Sequence, residues 1–154
     1  DLRSSGKAGI LSLFFGVILS FILGALVAIA FGYEDPKDIT TIGAGTVTFV
    51  VGPVSGSAIG ASSDVIALSI AAGLVKSILV MTLTPLFAKQ VGLDNPKSAM
   101  VFGGLMGTNS GVAAGLAAVD PKLVPYGAMT ATFYTAVGCL LVPSVLFLLV
   151  DVFF

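Results

Sequence analysis

Five apolar stretches, separated by short turns that hold most of the charged residues, dominate the sequence. A helix needs about 20 predominantly apolar residues to cross ~30 Å of hydrocarbon. The pattern therefore predicts an all-α, polytopic membrane protein with about five transmembrane segments. The first stretch is Ala8–Tyr33, preceded by Arg3 and Lys7 and closed by Glu34-Asp35-Pro36-Lys37-Asp38. Ile39–Ala61, Asp64–Val91, Ser98–Val119 and Leu123–Val150 follow, with Asp94-Asn95-Pro96-Lys97 and Asp120-Pro121-Lys122 as later turns. Charged residues make up 10% of the chain, against about 25% in soluble domains, which is too few to cover a water-facing surface. The expected surroundings are a lipid bilayer. A net charge of −1 offers nothing to a nucleic acid.

Two of the five stretches are unlike plain lipid-facing helices. Ile39–Ala61 contains Gly43, Gly45, Gly52, Pro53, Gly56 and Gly60, with Thr46, Thr48, Ser55 and Ser57 among them. Ser98–Val119 contains Gly103, Gly104, Gly107, Gly111 and Gly115 around Thr108-Asn109-Ser110. Proline removes a backbone donor and glycine lowers helix propensity. Breaks are expected near Gly52–Gly56 and Gly107–Gly111. Irregular backbone at membrane depth survives only inside protein or beside a water-filled cavity.

Gly52-Pro53-Val54-Ser55-Gly56-Ser57-Ala58-Ile59-Gly60 aligns without gaps on Gly107-Thr108-Asn109-Ser110-Gly111-Val112-Ala113-Ala114-Gly115, sharing G-x-x-S-G-x-A-x-G. Each copy precedes an aspartate, Asp64 or Asp120, and a long helix with a late proline, Pro85 or Pro143. The chain thus reads as one transmembrane domain, residues 1–154, holding repeat units at about 39–91 and 98–150. It opens on Asp1 rather than Met and reads as a piece of a longer chain. Paired, interrupted apolar segments are the best sequence pointer to a transporter's binding site.

A broken helix exposes N–H groups that suit a carboxylate and C=O groups that suit a hard cation such as Na⁺. Thr108, Asn109, Ser110 and Gly111 are therefore candidate substrate ligands, as are Ser55, Gly56 and Ser57 in the other copy. Pro53 and Val54 stand where Thr108 and Asn109 stand, which makes the first copy the weaker donor. Lys76 is the one basic residue deep within an apolar run, ~18 Å of helix rise from Asp64. An ionisable group at that depth is a functional candidate, here to offset an anionic substrate. Thr46, Thr48, Asp64 and Asn109 are candidate cation ligands. For Asp64 the competing reading is a helix cap, and for Thr46 and Thr48 it is a bond back to the helix. The two breaks are expected to share one site, with Ser55 near Ser110.

Catalysis fits poorly. G-x-x-S-G loosely resembles the serine motifs of intramembrane proteases, but such a serine needs a base. The chain has no His, so only Lys76 could serve. Cys139 is the single cysteine and forms neither an internal disulfide nor a metal site. No enzyme activity and no cofactor is expected beyond Na⁺ as coupling ion.

At the glycine-rich segments the chain resembles the malonate transporter MadM subunit family. The resemblance rests on Thr41–Ser69 (TIGAGTVTFVVGPVSGSAIGASSDVIALS), Ser98–Asp120 (SAMVFGGLMGTNSGVAAGLAAVD) and Leu123–Thr135 (LVPYGAMTATFYT). It implies sodium-dependent malonate uptake at the bacterial inner membrane, together with a second small membrane subunit, MadL. Family proteins carry further N-terminal helices, so the chain corresponds to their C-terminal portion. The residues by themselves also fit a carrier of another carboxylate, such as a sugar acid, or a non-transporting scaffold subunit.

Orientation is undecided at this level. Five crossings put Arg3, Lys7 and Lys122 on one side and Lys37, Lys89 and Lys97 on the other, a tie under the positive-inside rule. A re-entrant segment would change the count.

Overall fold

The computed structural model describes residues 2–154, which are helical throughout with no strand among them. Three long elements are α1 (Leu2–Ala30), α4 (Ser63–Val91) and the run from Val124 to Phe153. That last run consists of α7 (Val124–Leu141), a π-turn (Val142–Leu146) and α8 (Phe147–Phe153). The two glycine-rich stretches each fold as two short helices: α2 (Pro36–Val47) with α3 (Val51–Ile59), and α5 (Pro96–Met106) with α6 (Asn109–Val119). Among the described residues three helices are long and apolar enough to cross a membrane, Gly6–Ala30, Ser63–Val91 and Pro121–Phe153, and Asn109–Val119 is a shorter apolar helix. Large apolar side chains cover their outer faces, as with Leu11, Phe15 and Leu23 on α1 and Leu86 and Leu140 further on. Exposed apolar area on this scale would be an aggregation hazard in water and is the ordinary surface of a helix in lipid.

Contacts divide the chain into two compact units. One comprises Ile18–Val75 and Thr135–Phe154, the other Asp1–Val17 and Lys76–Tyr134. Each contains one of the short-helix pairs.

In the first unit, α3 runs back along α2. A Cβ on Gly52 would lie 3.1 Å from the Gly45 Cα, and one on Gly56 would lie 2.8 Å from the Thr41 side chain. Positions rise along α3 as their neighbours fall along α2, which is an antiparallel hairpin. Glycine at these contacts lets the backbones approach closely. The Ile39–Ala61 stretch therefore folds out and back instead of as one straight helix. Its break lies at Thr48–Val50, before the expected Gly52–Gly56. Pro53 does not break the helix because it sits in the first turn of α3, where an N–H has no intrahelical partner to lose. Thr48 supplies the turn: its Oγ1 accepts from the N–H groups of Val50 (3.1 Å) and Val51 (3.0 Å) and so caps α3.

The second unit builds its hairpin around Gly107. This residue adopts φ +73° and closes α5 with its N–H on the Gly103 carbonyl at 2.9 Å. That is the left-handed cap for which glycine is preferred. The Gly127 position on α7 meets both Ala99, near the start of α5, and Leu116 and Val112 on α6. The far ends of the two short helices therefore lie level, and α6 returns along α5. Ala99, Val112, Leu116, Leu123 and Ala131 form the apolar core of this unit.

The repeat is clearest in the caps. Asp35-Pro36-Lys37 opens α2 and Asn95-Pro96-Lys97 opens α5, each with the Asp or Asn side chain accepting from backbone and a proline in the first turn. Thr48 then matches Thr108 at the two tips. The G-x-x-S-G alignment is out of register with this equivalence, since it pairs the interior of α3 with the tip of the second hairpin.

Candidate functional site

The second hairpin gathers the polar groups. Thr108, between α5 and α6, is 1% exposed and extended. Unlike Thr48, it makes no capping bond to the helix that follows. Its hydroxyl instead pairs with Ser77 Oγ on α4. The same Ser77 Oγ lies 3.3 Å from Ser110 Oγ. Position 111 must be glycine for this approach, because a Cβ there would stand 2.8 Å from the Ser77 carbonyl. The first-turn N–H groups of α6 are thus left without Thr108 as a cap, and they carry the positive end of the helix dipole.

Lys76 lies beside this cluster, one residue before Ser77. Its Nζ donates to Tyr134 Oη at 3.0 Å and is 5.0 Å from the ring centroid. Tyr134 is fully buried and its hydroxyl donates to the Gly16 carbonyl at 3.5 Å. A proton directed to Gly16 leaves the phenol oxygen free to accept from Lys76. The same ring packs across Gly107, where a Cβ would fall among its carbon atoms. One aromatic side chain therefore holds both the ammonium and the left-handed break. Asn109 and Ser110 are exposed at the tip, and Asn109 Oδ1 accepts from Thr132 Oγ1 at 3.2 Å.

The other expected residues are placed as follows. Ser55 is fully buried, Gly56 lies beneath Ile66 and Thr41, and Ser57 faces outward. Thr46 Oγ1 donates to the carbonyls of Ser20 (2.8 Å) and Gly43 (2.7 Å), tying α2 to α1. Thr48 is the cap described above. Asp64 is exposed in the first turn of α4, where its charge suits the helix dipole, while Ser62 Oγ takes the Val65 N–H at 3.4 Å. Ser55 belongs to the first unit and Ser110 to the second. Asp120 accepts from the Lys122 N–H and serves as a turn residue.

Sequence reasoning missed Ser77 and Tyr134. Nothing in their local pattern separates them from ordinary small and aromatic members of an apolar helix; only the fold brings them to Thr108 and Lys76. The second unit also holds a cavity of about 660 Å³ between α4 and α5. Its walls are mostly apolar, including Leu83, Phe87, Phe102 and Met106, so it is a poor host for a carboxylate.

Spanning helices interrupted by paired, broken short helices, with polar groups and one lysine at a break, define a secondary-transporter architecture. The chain belongs to the malonate/sodium symporter MadM subunit family, whose model matches residues 1–154. It is accordingly a subunit of a sodium-coupled malonate transporter, with malonate and Na⁺ as the transported species. No curated protein and no solved structure is significantly similar to it.

Proposed function

We propose that the second hairpin binds malonate, with one carboxylate at the start of α6 and within reach of the Lys76 charge. The observation that carries this reading is the cluster itself: a buried lysine held by Tyr134 beside the Ser77–Thr108–Ser110 hydroxyls, at a helix start that Thr108 does not cap. Backbone N–H groups and hydroxyls donate to a carboxylate, and the ammonium offsets its charge. Asn109 and Gly111 border the same helix start. The first hairpin, whose N–H groups Thr48 already takes, stays outside this malonate site. The family is one of symporter subunits, which supports a carrier role for the chain.

The work is done in the bacterial inner membrane, with a second, MadL-like membrane subunit as partner. Three crossings and two hairpins favour one orientation. Arg3, Lys7, Lys89, Lys97 and Lys122 share one side and Lys37 stands on the other, so the positive-inside rule makes the former side cytoplasmic. The bond from Lys97 Nζ to Ser4 Oγ at 3.2 Å independently supports a common side for the start of α1 and the turn before α5.

Radiolabelled malonate uptake into vesicles, with and without a Na⁺ gradient, tests the reading. Lys76→Gln should raise the malonate KM at least about tenfold, equivalent to ~1.4 kcal/mol, with expression retained. Normal uptake by that variant would remove the lysine from the site.

A further inference from the structure

We infer that Thr40 and Ser55, with the π-turn packed against their hairpin, form a sodium site within the first unit. Both side chains are fully buried, and neither hydroxyl makes a hydrogen bond to any described residue. Burying a hydroxyl without a partner forfeits its hydration and returns nothing. Helical threonines and serines usually avoid this by donating to a carbonyl one turn back. Thr41, Thr82, Thr132 and Ser144 all do so in this protein, whereas Thr40 and Ser55 do not.

The hairpin register turns the two hydroxyls to one face of the pair. Thr41 packs on Gly56. Stepping back one residue along each of two antiparallel right-handed helices turns both side chains by ~100° toward the same side of the pair. Thr40 and Ser55 therefore share a face, offset by ~3 Å along the helix axes. Val47 lies seven residues after Thr40 and Val51 four before Ser55, so both sit on that face. Both valines contact the position of Gly138 on α7. The π-turn Val142–Leu146 that continues α7 packs on both α2 and α3, and α8 packs on α2.

The covering element is a turn at which proline removes one helical donor. Pro143 carries no N–H, so it cannot donate to the Cys139 carbonyl one turn back. π-turns recur at functional sites because they loosen the backbone ladder in this way. Neutral hydroxyls and backbone carbonyls, in a pocket built by helices and a loosened turn, are the ligand chemistry of a coupling Na⁺ in transporters. An anion would find acceptors instead of donors at the carbonyls. This assignment rests on the sodium-symport reading and differs from the Thr46, Thr48 and Asp64 ligands expected from sequence.

The test uses the transporter with its partner subunit in proteoliposomes, comparing wild type with Thr40→Val, Ser55→Ala and Thr40→Ser. The first two variants should raise the half-saturating Na⁺ concentration by about tenfold or more, an equivalent of ~1.4 kcal/mol. Their malonate KM at saturating Na⁺ should stay within about twofold, and Thr40→Ser, which keeps the oxygen, should resemble wild type. A second readout needs no transport. NaCl, compared with choline chloride, should raise the unfolding temperature of purified wild-type protein, and Thr40→Val/Ser55→Ala should lose that shift. Wild-type Na⁺ dependence in both variants, with the shift intact, would overturn the site and leave a buried water as the partner of the hydroxyls. Wild-type uptake that ignores Na⁺ would instead overturn the symport reading, and this site with it.

Discussion

Gly107→Ala probes the second hairpin at its tip, and Gly92→Ala provides the matched control. Both glycines are left-handed, with φ of +73° and +72°. A residue with a Cβ pays about 1–2 kcal/mol in that conformation. At Gly92 no heavy atom lies within 4 Å of the added Cβ, so Gly92→Ala should cost that amount alone. At Gly107 the added carbon would fall among Cδ1, Cε1 and Cζ of Tyr134. The ring cannot swing aside freely, since it is fully buried and its hydroxyl is bonded to Lys76 and Gly16. Overpacking a filled interior costs about 1–3 kcal/mol, which brings Gly107→Ala to ~2–5 kcal/mol. Denaturant unfolding of the two purified variants in the same detergent measures the difference. Tyr134→Leu in the Gly107→Ala background should cost less than the sum of the single changes, because the clashing atoms are gone. Equal destabilisation by Gly107→Ala and Gly92→Ala would refute the argument, because the tip would then not be seated on Tyr134.

Two further outcomes follow from the same geometry. Asn109→Ala should raise the malonate KM about three- to tenfold, the worth of one hydrogen bond, and leave the half-saturating Na⁺ concentration within about twofold, as read by uptake kinetics; an unchanged malonate KM would exclude it from the site. In a Cys139→Ser background, Glu34→Cys should react with a membrane-impermeant maleimide on intact cells and Asp94→Cys only after permeabilisation; the reverse pattern would invert the orientation.

The spanning helices were legible because ~20 apolar residues per crossing is a requirement of the bilayer itself. At Ile39–Ala61, α2 and α3 together supply enough apolar residues for one crossing and arrange them as an out-and-back hairpin. Composition cannot tell those two uses apart. Glycine misled for a related reason. Gly45, Gly52 and Gly56 mark places where helices touch, not where they break. The caps carried the better signal: Asp35-Pro36 and Asn95-Pro96 start hairpins, and Thr48 and Thr108 stand at their tips. Gly107 was legible as a break because it combines left-handed backbone with polar neighbours. Lys76 was singled out by the cost of a charge in lipid, whereas its partner Tyr134 depends on contacts across 58 residues of chain.

The two hairpins share an architecture and differ in which backbone and side-chain groups they leave available. Thr48 spends its hydroxyl on the first N–H groups of α3. The available polar atoms of the first hairpin are therefore the inner hydroxyls of Thr40 and Ser55, which suit a cation. Thr108 spends its hydroxyl on Ser77 and leaves the start of α6 to another acceptor, with Lys76 nearby, which suits an anion. One substitution of partner at equivalent threonines thus separates two chemistries within a duplicated fold. Transport requires both. Malonate is a dianion at neutral pH, and entry into a negative-inside cell costs about 2.3 kcal/mol per charge per 100 mV. Two Na⁺ cancel that charge, and each Na⁺ beyond two adds the membrane potential to the driving force. A single site built only of anion donors could not carry the coupling ion; on the proposed assignments, the divergence of Thr48 from Thr108 gives each ligand its own kind of hairpin.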